Sequence, residues 1–214
     1  IEQDVEVIMI AATCLKTLKI NETTLHINNI GSPETRTQYE ELLKKYFAQN
    51  ISSLSSLSKK RLETNPIRIL DSKEKEDLSI IKNAPIIKEL LTDSEKEDFN
   101  MLLSNLDTLN VKYEESPYLV RGLDYYNGTT FEITTRSNKS QNALCGGGRY
   151  DFLVEQMGGP STPAIGFAAG MERMIIESQY QVEKNSIDIY ISSNDLNHSR
   201  KCFTIMQNLI DNNY

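Results

Sequence analysis

The sequence predicts an α+β fold, and three observations carry that expectation. Helical spacing of apolar residues dominates residues 4–18 and 32–109, whereas a strand-type composition punctuated by Gly and Pro dominates 118–170. A last alternation at Ile187, Ile189 and Ile191 precedes the helical spacing of Phe203, Met206 and Leu209. Helices therefore come first, an antiparallel glycine-rich sheet with flanking helices follows, and the first βα unit of a further α/β domain opens near residue 183.

Each element has a local reason. Asp4 is a plausible N-cap for a helix over about 4–18, on which Val5, Ile8, Ala12 and Leu15 share a face. Leu25 and Ile27 alternate with His26 and Asn28 as a half-buried strand before Gly31. Ser32-Pro33 supplies a cap and a first-turn proline for a helix bearing Tyr39, Leu42, Leu43 and Tyr46. Ile51, Leu54 and Leu57 keep a three-residue step through a serine-rich stretch, read as a weak helix that Asn65-Pro66 ends. Residues 71–98 alternate charge clusters with small apolar islands at 78–81 and 86–91, the pattern of short solvated helices with one thin buried face. Ser94 and Glu97 read as a capping box for the helix carrying Phe99, Leu102, Leu103, Leu106 and Leu109. Asn127-Gly128 reads as a hairpin turn between two strands within 118–135. A strand follows over 143–150, then a short helix at 151–157, a strand from Pro163 to Phe167 and a helix from Gly170 to Gln179.

Composition narrows the function classes. With 214 residues the length fits one domain or slightly more, at one domain per ~150 residues. The 39% hydrophobic and 25% charged residues support a packed core. A formal net charge of −7 argues against a general binder of nucleic acid or anionic membrane, so any polyanion contact rests on local arginines. Three cysteines, Cys14, Cys145 and Cys202, contain no CxxC pair and give neither a disulfide framework nor a zinc knuckle. No apolar run reaches the ~18 residues of a membrane span, and no secretory leader opens the chain. Beginning at Ile1 and ending at Tyr214 in mid-pattern, the chain reads as a cytoplasmic fragment.

Common catalytic signatures are missing. His26 and His198 are far apart and outside any metal-ligand spacing, and no phosphate loop or serine elbow occurs. Cys145 has no nearby histidine and reads as a buried structural thiol. Three segments remain. In LVRGLDYYNGTTFE (119–132), Arg121 is flanked by apolar residues; a buried guanidinium needs an anion, either a substrate or a structural carboxylate such as Asp124. In ALCGGGRYD (143–151), Gly146-Gly147-Gly148 permits close approach of a ligand or simply turns a strand. In PAIGFAAGMERM (163–174), small residues allow tight packing beneath a flat ligand, with Arg173 as a ligand contact or an ordinary ion-pair partner.

Together, in this order and spacing, these segments resemble the histidyl-tRNA synthetases, a class II aminoacyl-tRNA synthetase family. The first two resemble the family's histidine-recognition motifs and the third its motif 3. DVEVIMIAATCLKTL (4–18) and NPIRILDSK (65–73) extend the likeness. Asn127 stands where the family usually has Thr, and Phe152 where it usually has Gly.

The resemblance implies the class II antiparallel sheet and a ligase that activates L-histidine with ATP and Mg2+, then esterifies the 3′ end of tRNA(His). It implies that Arg121 is catalytic and, with Tyr125, Tyr126, Gly147 and Tyr150, binds histidine; that Gly170 and Arg173 bind ATP; and that no residue binds a resident metal. Of two adjacent strand tyrosines, one is expected to face away. The implied domains are catalytic at 1–31 and 94–182, a helical insertion at 32–93, and the beginning of an anticodon-binding domain at 183–214. The acids Glu74, Glu76, Asp77, Glu89 and Asp93 argue against strong phosphate contact by the whole insertion surface. The family's motifs 1 and 2 would precede Ile1, so the fragment alone is expected to be inactive, with homodimerisation belonging to the full-length protein. Two other readings are a histidine-sensing regulatory subunit of ATP phosphoribosyltransferase, which shares the fold, and a synthetase-like domain that only binds RNA.

Overall fold

A computed structural model describes residues 1–122, 124–136, 142–178 and 189–213. Two units, 1–179 and 180–214, are described separately. In the first, helix α1 (Glu2–Thr17) precedes strand β1 (Thr23–Asn29), and α2 (Pro33–Gln49), α3 (Ser56–Thr64) and α4 (Lys75–Ile81) follow. Then come α5 (Asp93–Thr108), β2 (Tyr113–Glu115), β3 (Asn127–Thr135), β4 (Ala143–Arg149), α6 (Leu153–Gln156), β5 (Ile165–Ala169) and α7 (Met171–Glu177).

The sheet runs β2-β1-β3-β4-β5. All pairings are antiparallel except β1 with β2. The expected antiparallel sheet thus gains a short parallel edge strand. Parallel neighbours need a long crossover, and the helical stretch between β1 and β2 supplies it. The α+β class stands as expected. One core joins α1 and α5 to the sheet through Ile8, Leu15, Leu102, Leu106, Ile27, Phe131 and Leu144, each at most 2% exposed. Asp4 is not the N-cap of α1, which is Ile1; fully buried in the first turn, it spends its carboxylate on the sheet instead, pairing with the Arg149 guanidinium of β4 and accepting from the Thr129 hydroxyl at 2.9 Å.

Several boundaries differ from expectation. The helix expected at 51–58 is a 3-10 turn at Ile51–Ser53 followed by α3, whose N-cap Ser55 accepts from the Ser58 N–H. The capping box of α5 is Thr92 with Glu95, not Ser94 with Glu97. Glu95 is favoured because its carboxylate serves two helices: it accepts from the Thr92 N–H at 2.7 Å, the Ser32 N–H at 2.6 Å and the Thr35 hydroxyl at 3.0 Å. Residues 118–122 and 124–126 form loop and turn rather than the first strand of a hairpin. Gly128, at φ +59°, is instead the second residue of β3, where its N–H donates to Gly31 O and its carbonyl accepts from Ile30. The strand expected from Pro163 runs over Ile165–Ala169.

The helical stretch between β1 and α5 has its own core of Tyr39, Leu43, Phe47, Ile69 and Ile87, and that core continues into Ile30 and Tyr126. Its polar centre is Asp77. Placed with the surface acids by sequence, Asp77 is fully buried and accepts from the Ser55 N–H at 2.8 Å. The hydroxyls of Ser55, Ser58 and Ser72 donate to it at 2.8, 2.6 and 2.6 Å. Burial would raise its pKa, but these bonds together outweigh it and hold the carboxyl below its usual value. Because the folded value is depressed, the stabilisation is fully present above the ordinary 3.8 and is lost as pH falls below it. Asp77→Ala orphans these donors and is expected to cost about 3 kcal/mol in urea unfolding, with the difference shrinking in acid. A variant as stable as the parent at neutral pH would contradict this.

In the second unit, α8 (Leu196–Asp211) matches the helix expected at the end of the chain. The strand expected at Ile187–Ile191 is not present over 189–191, and Ile187 lies outside the described residues.

Candidate functional site

Three local features assemble one cluster on the sheet. The glycine run lies in β4, the loop ahead of β3 carries Arg121, Tyr125 and Tyr126, and the turn after β4 carries Tyr150. Gly146 has no room for a side chain: a Cβ there would stand 2.5 Å from Arg121 Nη1 and 2.8 Å from its Cζ. The guanidinium therefore rests on the bare backbone of β4. Arg121 Nη1 donates to Glu132 Oε2 of β3 at 2.6 Å. The structural partner expected from sequence, Asp124, is engaged elsewhere, by Arg36 and Asn65. Glu132 wins because β3 pairs directly with β4, which puts it opposite Gly146. Arg121 Nε is buried without a hydrogen-bond partner among the described residues. An unmet buried donor on a guanidinium is costly, and an anion is what it suits.

The three tyrosines meet. Ring centroids of Tyr125 and Tyr126 are 4.6 Å apart, Tyr125 and Tyr150 5.8 Å, and Tyr126 and Tyr150 6.3 Å. Strand alternation would turn one of Tyr125 and Tyr126 away. Both turn inward because residues 124–126 are turn and loop, where alternation does not apply. Tyr126 is 8% exposed, and its hydroxyl pKa is pushed up to about 12, first by burial and then by its bond to Tyr125, so it stays a neutral donor and acceptor. The Tyr150 hydroxyl lies over Gly166, where a Cβ would come within 3.0 Å of it.

Gly147 has a different cause. A Cβ there would meet Gly166 O at 2.0 Å and Phe167 Cα at 2.6 Å, so it serves the close approach of β5. Cys145 is buried, and burial pushes its thiol up to about 11, which suits a structural residue rather than a nucleophile. His26 is a strand residue whose ring nitrogens lie 3.1 Å from the Ser116 and Thr134 hydroxyls.

Arg173 lies apart from this cluster. Its Nη1 donates to Ala143 O at 2.8 Å, at the far end of β4. Ala143 is three residues from Gly146, roughly 10 Å along the strand. Gly170 caps α7 beside the Arg173 side chain, 3.4 Å from where a Cβ would sit. Sequence reading missed one member of the site, Glu132, and did not foresee that what rests on Gly146 is the Arg121 guanidinium. The signal for Glu132 was a lone carboxylate between Phe131 and Ile133 in an otherwise apolar and Thr-rich strand.

The family model for histidyl-tRNA synthetase matches residues 1–174. The chloroplastic histidine–tRNA ligase of Gracilaria tenuistipitata var. liui is 45% identical over 208 residues, covering 96% of this chain and 50% of that protein. The histidine–tRNA ligase of Dictyoglomus thermophilum is 42% identical over 213 residues, covering 98% and 51%. The crystal structure of apo S. aureus histidyl-tRNA synthetase superposes with a TM-score of 0.70 at 30% identity, over 99% of this chain and 53% of that one. A Bacillus halodurans protein described as an ATP phosphoribosyltransferase regulatory subunit/histidyl-tRNA synthetase shares the fold at 20% identity and a TM-score of 0.54. This chain spans about half the length of the curated relatives it matches. It belongs to the histidyl-tRNA synthetase family.

Proposed function

We propose that this chain forms part of a histidine–tRNA ligase. The observation that carries the reading is the Arg121 cluster: a guanidinium with a buried donor unmet among the described residues, seated on Gly146 and facing tyrosines gathered from two segments. A histidine carboxylate oxygen attacks the α-phosphate of ATP; the new O–P bond forms as the bond to pyrophosphate breaks. The terminal adenosine 3′-hydroxyl of tRNA(His) then attacks the histidyl carbonyl, and AMP leaves. The first step brings two anions together, so it depends on fixed positive charge and alignment. Arg121 supplies that charge to the carboxylate and α-phosphate, with Glu132 holding its plane. Tyr125, Tyr126 and Tyr150 bind the imidazole, whose two nitrogens need one donor and one acceptor. Gly147 lets β5 close the pocket floor.

Arg173 and Gly170 take the adenine and γ-phosphate end of ATP, where a guanidinium stacks and pairs. Mg2+ arriving with ATP would supply charge neutralisation at the phosphates. Residues 1–31 and 94–182 are assigned to the catalytic domain, 32–93 to the helical insertion and 183–214 to the start of the anticodon-binding domain, with a cytoplasmic homodimer as the working assembly. The regulatory-subunit reading is less favoured, since the relatives above 40% identity are named as ligases. No helix among the described residues is long and apolar enough to cross a membrane.

Tyr150→Phe in the complete natural protein tests the pocket. Loss of one hydroxyl is expected to raise the histidine KM about tenfold and leave the ATP KM unchanged. An unchanged histidine KM would remove Tyr150 from the site.

A further inference from the structure

The helical stretch between β1 and α5 contributes no residue to the site above, yet its side chains grip the loop that does. Arg36 of α2 donates from Nη1 to Asp124 O at 2.7 Å and to Tyr126 O at 3.4 Å, and from Nη2 to Asp124 Oδ1 at 3.0 Å. Two of these acceptors are backbone carbonyls that bracket Tyr125. Asn65, at the C-terminal end of α3, donates to the same Asp124 oxygen at 2.8 Å. Glu40 Oε1 lies 3.4 Å from Arg36 Nε and orients the guanidinium from its own helix. The other end of the loop is fixed as well: the Tyr118 hydroxyl donates to Ala84 O at 2.8 Å. Arg36 and Arg121 also line one small cavity, walled by Tyr39 and Val120.

The Asp124 side chain is 70% exposed, so its ion pair with Arg36 contributes little stability. Arg36 itself is only 14% exposed, and its fork spans a carboxylate and two carbonyls at once. A contact worth little for folding but specific for the backbone of 124–126 is suited to positioning.

We infer that Arg36 and Asn65 are positioning residues for histidine recognition: by holding the backbone of 124–126 they set Tyr125 and Tyr126 against Tyr150, which makes the helical stretch a working part of the amino-acid site. This rests on reading the loop as part of the histidine pocket. In the family resemblance Asp124 belongs to the recognition motif; its role here is the socket for the two helices rather than a ligand of substrate or of Arg121.

The test uses the complete natural protein with Arg36→Ala, Arg36→Lys and the milder Asn65→Ala, and two readouts. In histidine-dependent ATP–pyrophosphate exchange, Arg36→Ala is expected to raise the histidine KM about tenfold, with kcat and the ATP KM within about twofold. Arg36→Lys should recover only part of this, because one ammonium cannot span all three acceptors. Amide hydrogen exchange over 118–126 should speed up at least about tenfold in Arg36→Ala, and by less in Asn65→Ala, while α5 exchanges as in the parent. Unchanged loop exchange in both alanine variants overturns the proposal. Faster loop exchange with an unchanged histidine KM also overturns it, as does an equal rise in both KM values together with a lowered Tm, which marks a purely structural role. If the unsubstituted protein shows no histidine-dependent exchange, the reading of the pocket falls, and with it the positioning role; the loop exchange, which needs no activity, then decides only whether the tether exists.

Discussion

Arg121→Lys in the complete natural protein is expected to slow histidyl-adenylate formation by about 10²–10³, nearly as much as Arg121→Ala, with a much smaller change in ATP affinity. Lysine keeps the charge but loses the planar fork, and the geometry shows what the fork does. Nη1 is held by Glu132 at 2.6 Å, the plane lies on Gly146, and Nε is buried without a partner among the described residues. A single ammonium cannot hold Glu132 and also meet an anion along a second direction. If Arg121 and Glu132 are only a structural pair, both substitutions lower stability while chemistry in the folded fraction stays near normal. Single-turnover adenylate formation and thermal unfolding on one preparation separate the two. Glu132→Gln is the companion: it leaves the charge and loosens its orientation, so its rate should fall less than that of Arg121→Ala.

Two adjacent glycines should respond in opposite ways. Gly147→Ala places a methyl group 2.0 Å from Gly166 O and 2.6 Å from Phe167 Cα, both backbone atoms of β5. The strands must part, and a loss of about 3 kcal/mol or more is expected. Gly146→Ala meets only the end of a side chain, the Arg121 guanidinium at 2.5–2.9 Å. It should leave the Tm within a few degrees but displace the arginine, and adenylation should drop by about 10²-fold. Equal stability losses in the two variants would show that the guanidinium does not rest on β4 as described.

Much of this site was legible because its signals are local. The glycine run, the paired tyrosines and the apolar setting of Arg121 all announce close approach or buried polarity from sequence alone. What approaches what was not legible. Asp124 is the nearest carboxylate in sequence to Arg121, whereas Glu132 becomes its partner only when β3 pairs with β4. Asp124 is in turn claimed by Arg36 and Asn65, both distant in sequence. The same limit explains α5. Thr92 with Glu95 and Ser94 with Glu97 satisfy the capping pattern equally, and the N-terminus of α2 decides between them. Residues 118–126 have the composition of a strand, but β3 already has β1 and β4 on its two sides, and Tyr118, Val120, Tyr125 and Tyr126 pack on the helical core instead. Asp77 reads as one more surface acid until three serines from different turns close around it.

The central claim is that the Arg121 cluster recognises histidine and activates its carboxylate. Amino-acid-dependent ATP–pyrophosphate exchange by the complete natural protein, run separately with each of the twenty amino acids, tests it most directly. Exchange stimulated by histidine alone, and lost in Arg121→Ala, is the predicted result. Exchange with another amino acid, no exchange with histidine, or undiminished histidine-dependent exchange in Arg121→Ala would contradict the account.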